Sequence, residues 1–320
     1  MLIASIAGAD TLYENCKSDW LPWSIITTAG PNSTLATVLA GFMLTVVGFL
    51  LGRQGSGSND ESKVSHTLAL FGSGVLVLGL DAFLFGNINA LGPAVESDGK
   101  VRASTRQACA MAWTEAMPAA SMLVVGACLM IAGLAWILAQ YFILKGSHSN
   151  WVLRLPNILT AVVIVTTSPL LVQTGLMYVI VMDRQFEKHM PIDCFKAISW
   201  VLSVACIVGF GAVITYKTRL LRQYMDEKPS PPELNADHGL LALTFVLTAA
   251  LAAIGALFAG VIGEHGVLVQ AQPGIPPRFW VFVAWALAVL PILILIPIGL
   301  SVPSAPEEWV RQRRRARKTA

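Results

Sequence analysis

Charge is what this 320-residue sequence has least of: Asp, Glu, Lys and Arg together make up 13% of it, about half the ~25% of an ordinary soluble domain. So thin a supply cannot clothe a water-facing surface. It excludes a soluble globular enzyme and a nucleic-acid-binding domain, and a hydrophobic content of 55% excludes a disordered chain. Catalytic signatures are equally scarce. His66, His148, His189, His238 and His265 fall at the ends of apolar runs or between them, which leaves no mid-membrane pair to hold a b-type haem. There is no HExxH, no GxxxxGK[ST], and no GxSxG followed by a membrane histidine. Those absences exclude an intramembrane zinc protease, ATP-driven pumping by this chain and a rhomboid-like hydrolase. The five cysteines show no CxxC pair and no metal-ligand spacing, so neither a metal nor any other cofactor is expected.

Long apolar runs are what the chain does have, with a mean hydropathy of +0.65. A bilayer core of ~30 Å needs about 20 apolar residues in a helix. Seven stretches qualify: Thr34–Gly52, Thr67–Leu91, Ala116–Leu144, Ile158–Met182, Ile198–Tyr216, Gly239–Gly263 and Phe279–Val302. Turn-forming or charged sequence bounds them, such as Lys228-Pro-Ser-Pro-Pro before the sixth. The expected fold is all-α, a polytopic transmembrane bundle of about seven spanning helices. Residues 1–33 form an extracytoplasmic segment, 34–302 a single transmembrane domain and 303–320 a basic cytoplasmic tail. Met1–Gly8 is too short for a signal-peptide core, and no cleavage is expected there. Seven helices invite comparison with rhodopsin-type proteins. However, the seventh run has no Lys for a retinal Schiff base and no Asn-Pro-x-x-Tyr, and the third ends Gln140-Tyr-Phe-Ile-Leu-Lys145 without an Asp-Arg-Tyr motif. Microbial rhodopsins and G-protein-coupled receptors are both excluded.

Orientation follows from Lys and Arg in the short loops. With the N-terminus outside, fourteen of the 22 fall on the cytoplasmic side and eight outside. This favours N-out and C-in, in the plasma membrane. The tail residues Arg311, Arg313, Arg314, Arg315, Arg317 and Lys318 read as an anchor on anionic lipid headgroups, worth ~1 kcal/mol per basic side chain near the surface. Trp20, Trp23, Trp113, Trp200 and Trp280 are expected at the outer interface, Trp151 and Trp309 at the inner one. The expected partners are therefore the bilayer and a further membrane protein or a second copy, with no nucleic acid.

Small residues recur at helical steps. The first run carries Thr34, Thr37, Gly41, Thr45, Gly48 and Gly52; the second Gly72, Gly79 and Gly86; the sixth Ala249, Ala252, Ala256, Gly260 and Gly263. Close backbone approach at small residues drives helix association in lipid. These stripes are expected to form the bundle core, with a surface for a partner as the second reading. Pro118, Pro169, Pro291 and Pro297 kink their helices. Thr166-Thr-Ser168 is placed to re-satisfy the carbonyl that Pro169 frees.

Asp81 is the one carboxylate well inside a span. At a helix centre it costs ~2.5–3.5 kcal/mol on the insertion scale, so it must be paired, wetted or neutralised by a proton. Glu115 and Glu264 lie on the outer side of the same topology and Gln173 deeper in the fourth run, and the three could join Asp81 around a polar vestibule for a small cation or solute. Among the outer cysteines, Cys109 and Cys194 are the expected disulfide, because both flank helix starts. Cys128 and Cys206 are expected to pack as small apolar residues. Two function classes follow. The first is a non-catalytic membrane scaffold or accessory subunit; the alternative is a transporter or channel that uses Asp81.

Overall fold

The structure, a computed structural model, describes residues 17–18, 21–52, 61–90, 105–144, 155–186, 192–227, 238–271, 277–301, 309 and 312. A backbone in hydrocarbon has no water to bond its N–H and C=O groups, so a long apolar run resolves into a helix. Each of the seven runs does so. The helices are α1 (Ile25–Gly52), α2 (Glu61–Ala90), α3 (Thr105–Leu144), α4 (Leu155–Phe186), α5 (Ile192–Glu227), α6 (His238–Ala271) and α7 (Pro277–Leu300). The first six are long and apolar enough to cross a bilayer. At 1.5 Å per residue the 24 residues of α7 reach about 36 Å. A short antiparallel pair, β1 (Lys17–Ser18) and β2 (Leu21–Ser24), precedes α1 with Lys17 opposite Ser24. The chain is an all-α, multi-pass integral membrane protein.

Several helices outrun the apolar segments that mark them. α1 begins at Ile25, where the Ser24 carbonyl accepts the hydroxyls of Thr27 and Thr28. Ile25, Ile26 and Ala29 are buried against the bundle, which holds the first two turns although Pro31 lies inside them. α3 starts ahead of Ala116 because Cys109, Ala112 and Trp113 are already core residues.

The helices α1 to α5 pack side by side in chain order. α6 lies against α2 and α3; α7 lies against α3, α4 and α6. α3 therefore touches most of the bundle, and α1 and α5 are its least buried long helices. Close approach is set by glycines that the periodic stripes did not single out. A Cβ at Gly126 would overlap Leu78, one at Gly133 Phe71, one at Gly74 Met43, and one at Gly255 Met122. These contacts bring α1, α2, α3 and α6 together.

The stripes themselves correct the expectation of core packing. At Gly41, Gly48 and Gly52 on α1, and at Gly72 and Gly79 on α2, an added methyl group would meet nothing within 4 Å among the described residues. Thr34, Thr37 and Thr45 are exposed, with their hydroxyls turned back on the carbonyls of Gly30, Ser33 and Gly41. On α1 the bundle is met instead by Ala29, Ala36 and Met43. A further contact is the Ser33 hydroxyl, which donates 2.8 Å to the Ala82 carbonyl of α2. On α6, Ala252 is buried but Ala256 is exposed, and Gly260 and Gly263 lie outside the described side chains.

Two further expectations change. Trp113 is fully buried rather than interfacial. The hydroxyls of Thr166 and Thr167 bond to Val162, Val163 and Ile164, a residue or more short of Val165, whose carbonyl the Pro169 nitrogen would have met.

The end of α7 is anchored by side chains from two other helices. The Trp136 indole donates 2.7 Å to the Ser301 carbonyl, and the Lys217 ammonium donates to the Leu300 carbonyl. Ser301 itself returns its N–H to Pro297 and its hydroxyl to Ile298. The last carbonyls of a helix have no partner of their own, and a cation there also matches the negative end of the helix dipole.

Candidate functional site

Asp81 sits on the third-last full turn of α2 and is 0% exposed. Neither carboxylate oxygen has a hydrogen-bond partner among the described residues. The glycine contacts give its surroundings. Phe71 opposes Gly133, Gly74 opposes Leu129 and Leu78 opposes Gly126, so the antiparallel register puts Asp81 level with Met122 and Leu123. On the α6 side, Leu84 and Met122 both approach Gly255, which places Leu251 and Ala252 near the height of Asp81. Leu78, Leu84, Met122, Leu251 and Ala252 are all buried apolar residues. An ionised carboxylate at this point would be an uncompensated charge in hydrocarbon-like packing, which proteins rarely keep without a reason.

The other residues expected around a vestibule do not gather at Asp81. Glu115 is buried, at 4% exposure, with its Oε2 also unpartnered among the described residues. It lies two helical turns along α3 from the height of Asp81, ~11 Å at 1.5 Å per residue. Gln173 is exposed and lines a cleft of about 260 Å³ between α4 and α5, which does not include Asp81. Glu264 lies on α6 beyond its last described side chain, and the six basic tail residues lie outside the described residues. What the described residues offer is two separate buried acids and a lateral cleft. No three His, Cys, Asp or Glu side chains among them group to hold a metal.

The cysteine pairing is also corrected. Cys194 is a free, exposed thiol, and Cys109 is disulfide-bonded to a partner outside the described residues. The physical reason is the helix order: α4 packs between α3 and α5, keeping the start of α5 away from Cys109. Cys128 and Cys206 are buried free thiols, and Cys128 lies 3.7 Å from the Thr167 hydroxyl across α3 and α4.

Sequence reasoning missed one buried cluster. His66, expected at a helix end, is fully buried with its ring centroid 4.6 Å from that of Trp136. Trp136 in turn anchors α7. A Trp in the middle of an apolar run was the available signal, because an indole N–H in hydrocarbon must find an acceptor. Comparison of the chain with protein-family models, with curated proteins and with solved structures finds no match.

Proposed function

We propose that this integral membrane protein is a non-catalytic scaffold or accessory subunit that receives a transmembrane helix of a partner, or of a second copy, on the outward face of α1. One observation carries the reading: α1 turns Gly41, Gly48 and Gly52 away from its own bundle, with nothing among the described residues packed on them. A lipid-facing helix gains nothing from such residues, whereas a helix that must approach another backbone closely does. The setting of Asp81 adds support, because its side chain is fully buried.

The expected orientation is N-out and C-in in the plasma membrane. The loop-charge bias supports it, and so does the disulfide at Cys109 near the start of α3, since disulfides persist on the oxidising side of a membrane.

The test is site-directed photocrosslinking along α1 in native membranes. Protein crosslinks should recur at positions 41, 48 and 52, be absent from the faces between them, and disappear in Gly48→Ile. Uniform crosslinking to lipid around α1 would overturn the reading.

A second reading, cation or proton coupling at Asp81, is favoured by the two unpartnered carboxylate oxygens. An intramembrane acid is by default a candidate functional group.

A further inference from the structure

A cleft opens between α4 and α5. Its walls come from antiparallel helices whose lining residues alternate in matched steps. Lys196, in the second turn of α5, stands at one end. Ser199 follows one turn deeper, then Gln173 and Ser203 at a shared level, and Pro169 and Ile207 close the far end. From Lys196 to Ile207 is ~16 Å along the helix axis, about half of a ~30 Å hydrocarbon core. The side of the cleft is open to the membrane: Trp200, on its rim, is 73% exposed.

The hydroxyl and amide groups on these walls are left open to a ligand. Elsewhere in the bundle most helical hydroxyls turn back on a carbonyl of the preceding turn, as those of Thr37, Thr45, Thr218 and Thr244 do. Ser199, Ser203 and the Gln173 amide make no hydrogen bond among the described residues. At membrane depth such groups are satisfied by protein, by water or by a ligand. Lys196 has a further contact within the protein and faces Asp193 at 3.7 Å, an exposed residue one turn away on the same helix. Such a pair is weak, and an ammonium has three donors to share.

From mouth to floor the cleft therefore presents a cation, then hydroxyl and amide donors, then apolar wall. That is the order of groups in an anionic phospholipid: phosphate, ester carbonyls, chain. We propose that the cleft binds one acyl chain of an anionic phospholipid from the surrounding leaflet, with the phosphate on Lys196 and the ester carbonyls accepting from Ser199 and from Gln173 or Ser203. A volume of about 260 Å³ lies just under the ~300–1,000 Å³ of pockets that enclose a whole drug-sized ligand. It suits one chain, with the other left in the bilayer.

The test uses the full-length protein in vesicles that contain acyl-brominated phosphatidylglycerol or phosphatidylcholine. Quenching of Trp200 is read as the difference between wild type and Trp200→Phe. Trp200 should be half-quenched at about fivefold less brominated phosphatidylglycerol than phosphatidylcholine, the effect of one lysine at an anionic surface. Lys196→Gln, a change at the exposed mouth, should erase the preference. Ser203→Phe, which fills the cleft, should weaken quenching by both lipids. Equal quenching by the two lipids in wild type would overturn the proposal, as would a preference that survives Lys196→Gln. A partner helix occupying the cleft would appear as Trp200 shielded from both lipids, which also overturns it.

Discussion

Asp81 and the glycines around it show how far a single position can be read from sequence in a membrane chain. The acid was legible, because a lone carboxylate in an apolar run is conspicuous at any register. Its neighbours were not, because every helix here is apolar on all sides and no polar stripe marks which face turns inward. The same ambiguity misassigned the glycines. Gly41 and Gly48 repeat at a heptad step and face outward, whereas Gly126 and Gly133 do the same on α3 and face Leu78 and Phe71. The contrast is measurable by unfolding the purified protein in denaturing detergent. Gly126→Ala drives a methyl into the branch point of Leu78 and should destabilise by about 1–3 kcal/mol, as overpacking does. Gly48→Ala meets open space and should leave the isolated bundle unchanged or raise its stability by up to ~1 kcal/mol, the helix-propensity gain.

At the scale of elements, the seven helices were legible from run length alone, since hydrocarbon leaves the backbone no alternative. Their ends were not. Residues 25–33 continue α1 through Pro31 because tertiary burial of Ile25, Ile26 and Ala29 outweighs the local signal for a break. The C-terminus of α7 depends on Trp136 from α3 and Lys217 from α5, partners far away in sequence that no local pattern announces. Trp136→Phe keeps the ring and removes the donor to the Ser301 carbonyl. It should cost about 1–3 kcal/mol for the acceptor left unpaired and speed amide hydrogen exchange in the last turn of α7, with the first turns of α1 unaffected. A similar interlock lies nearby, where Trp309 donates 3.0 Å to the Glu227 carboxylate and packs edge-on against Tyr224.

For the whole molecule, helix order decides what the sequence could only suggest. Cys109 and Cys194 both flank helix starts, which made them a reasonable pair on paper; the intervening α4 separates them, and Cys194 is left as a free, exposed thiol. That thiol reports orientation. A membrane-impermeant maleimide applied to intact cells should label Cys194 if the N-terminus is outside. Buried Cys128 and Cys206 should stay unlabelled until the protein is denatured. Labelling of Cys194 only after the membrane is opened would reverse the orientation.

The same bundle-scale view separates the two functional readings. A scaffold needs an outward face and a sealed interior; a transporter needs a route to its coupling residue. The most direct measurement is Na⁺- and pH-dependent ion flux in proteoliposomes, comparing wild type with Asp81→Asn. With Asp81 fully buried, both proteins should carry no more flux than empty vesicles. Flux in wild type that Asp81→Asn abolishes, with the variant still folded, would contradict the scaffold reading and make Asp81 a coupling residue.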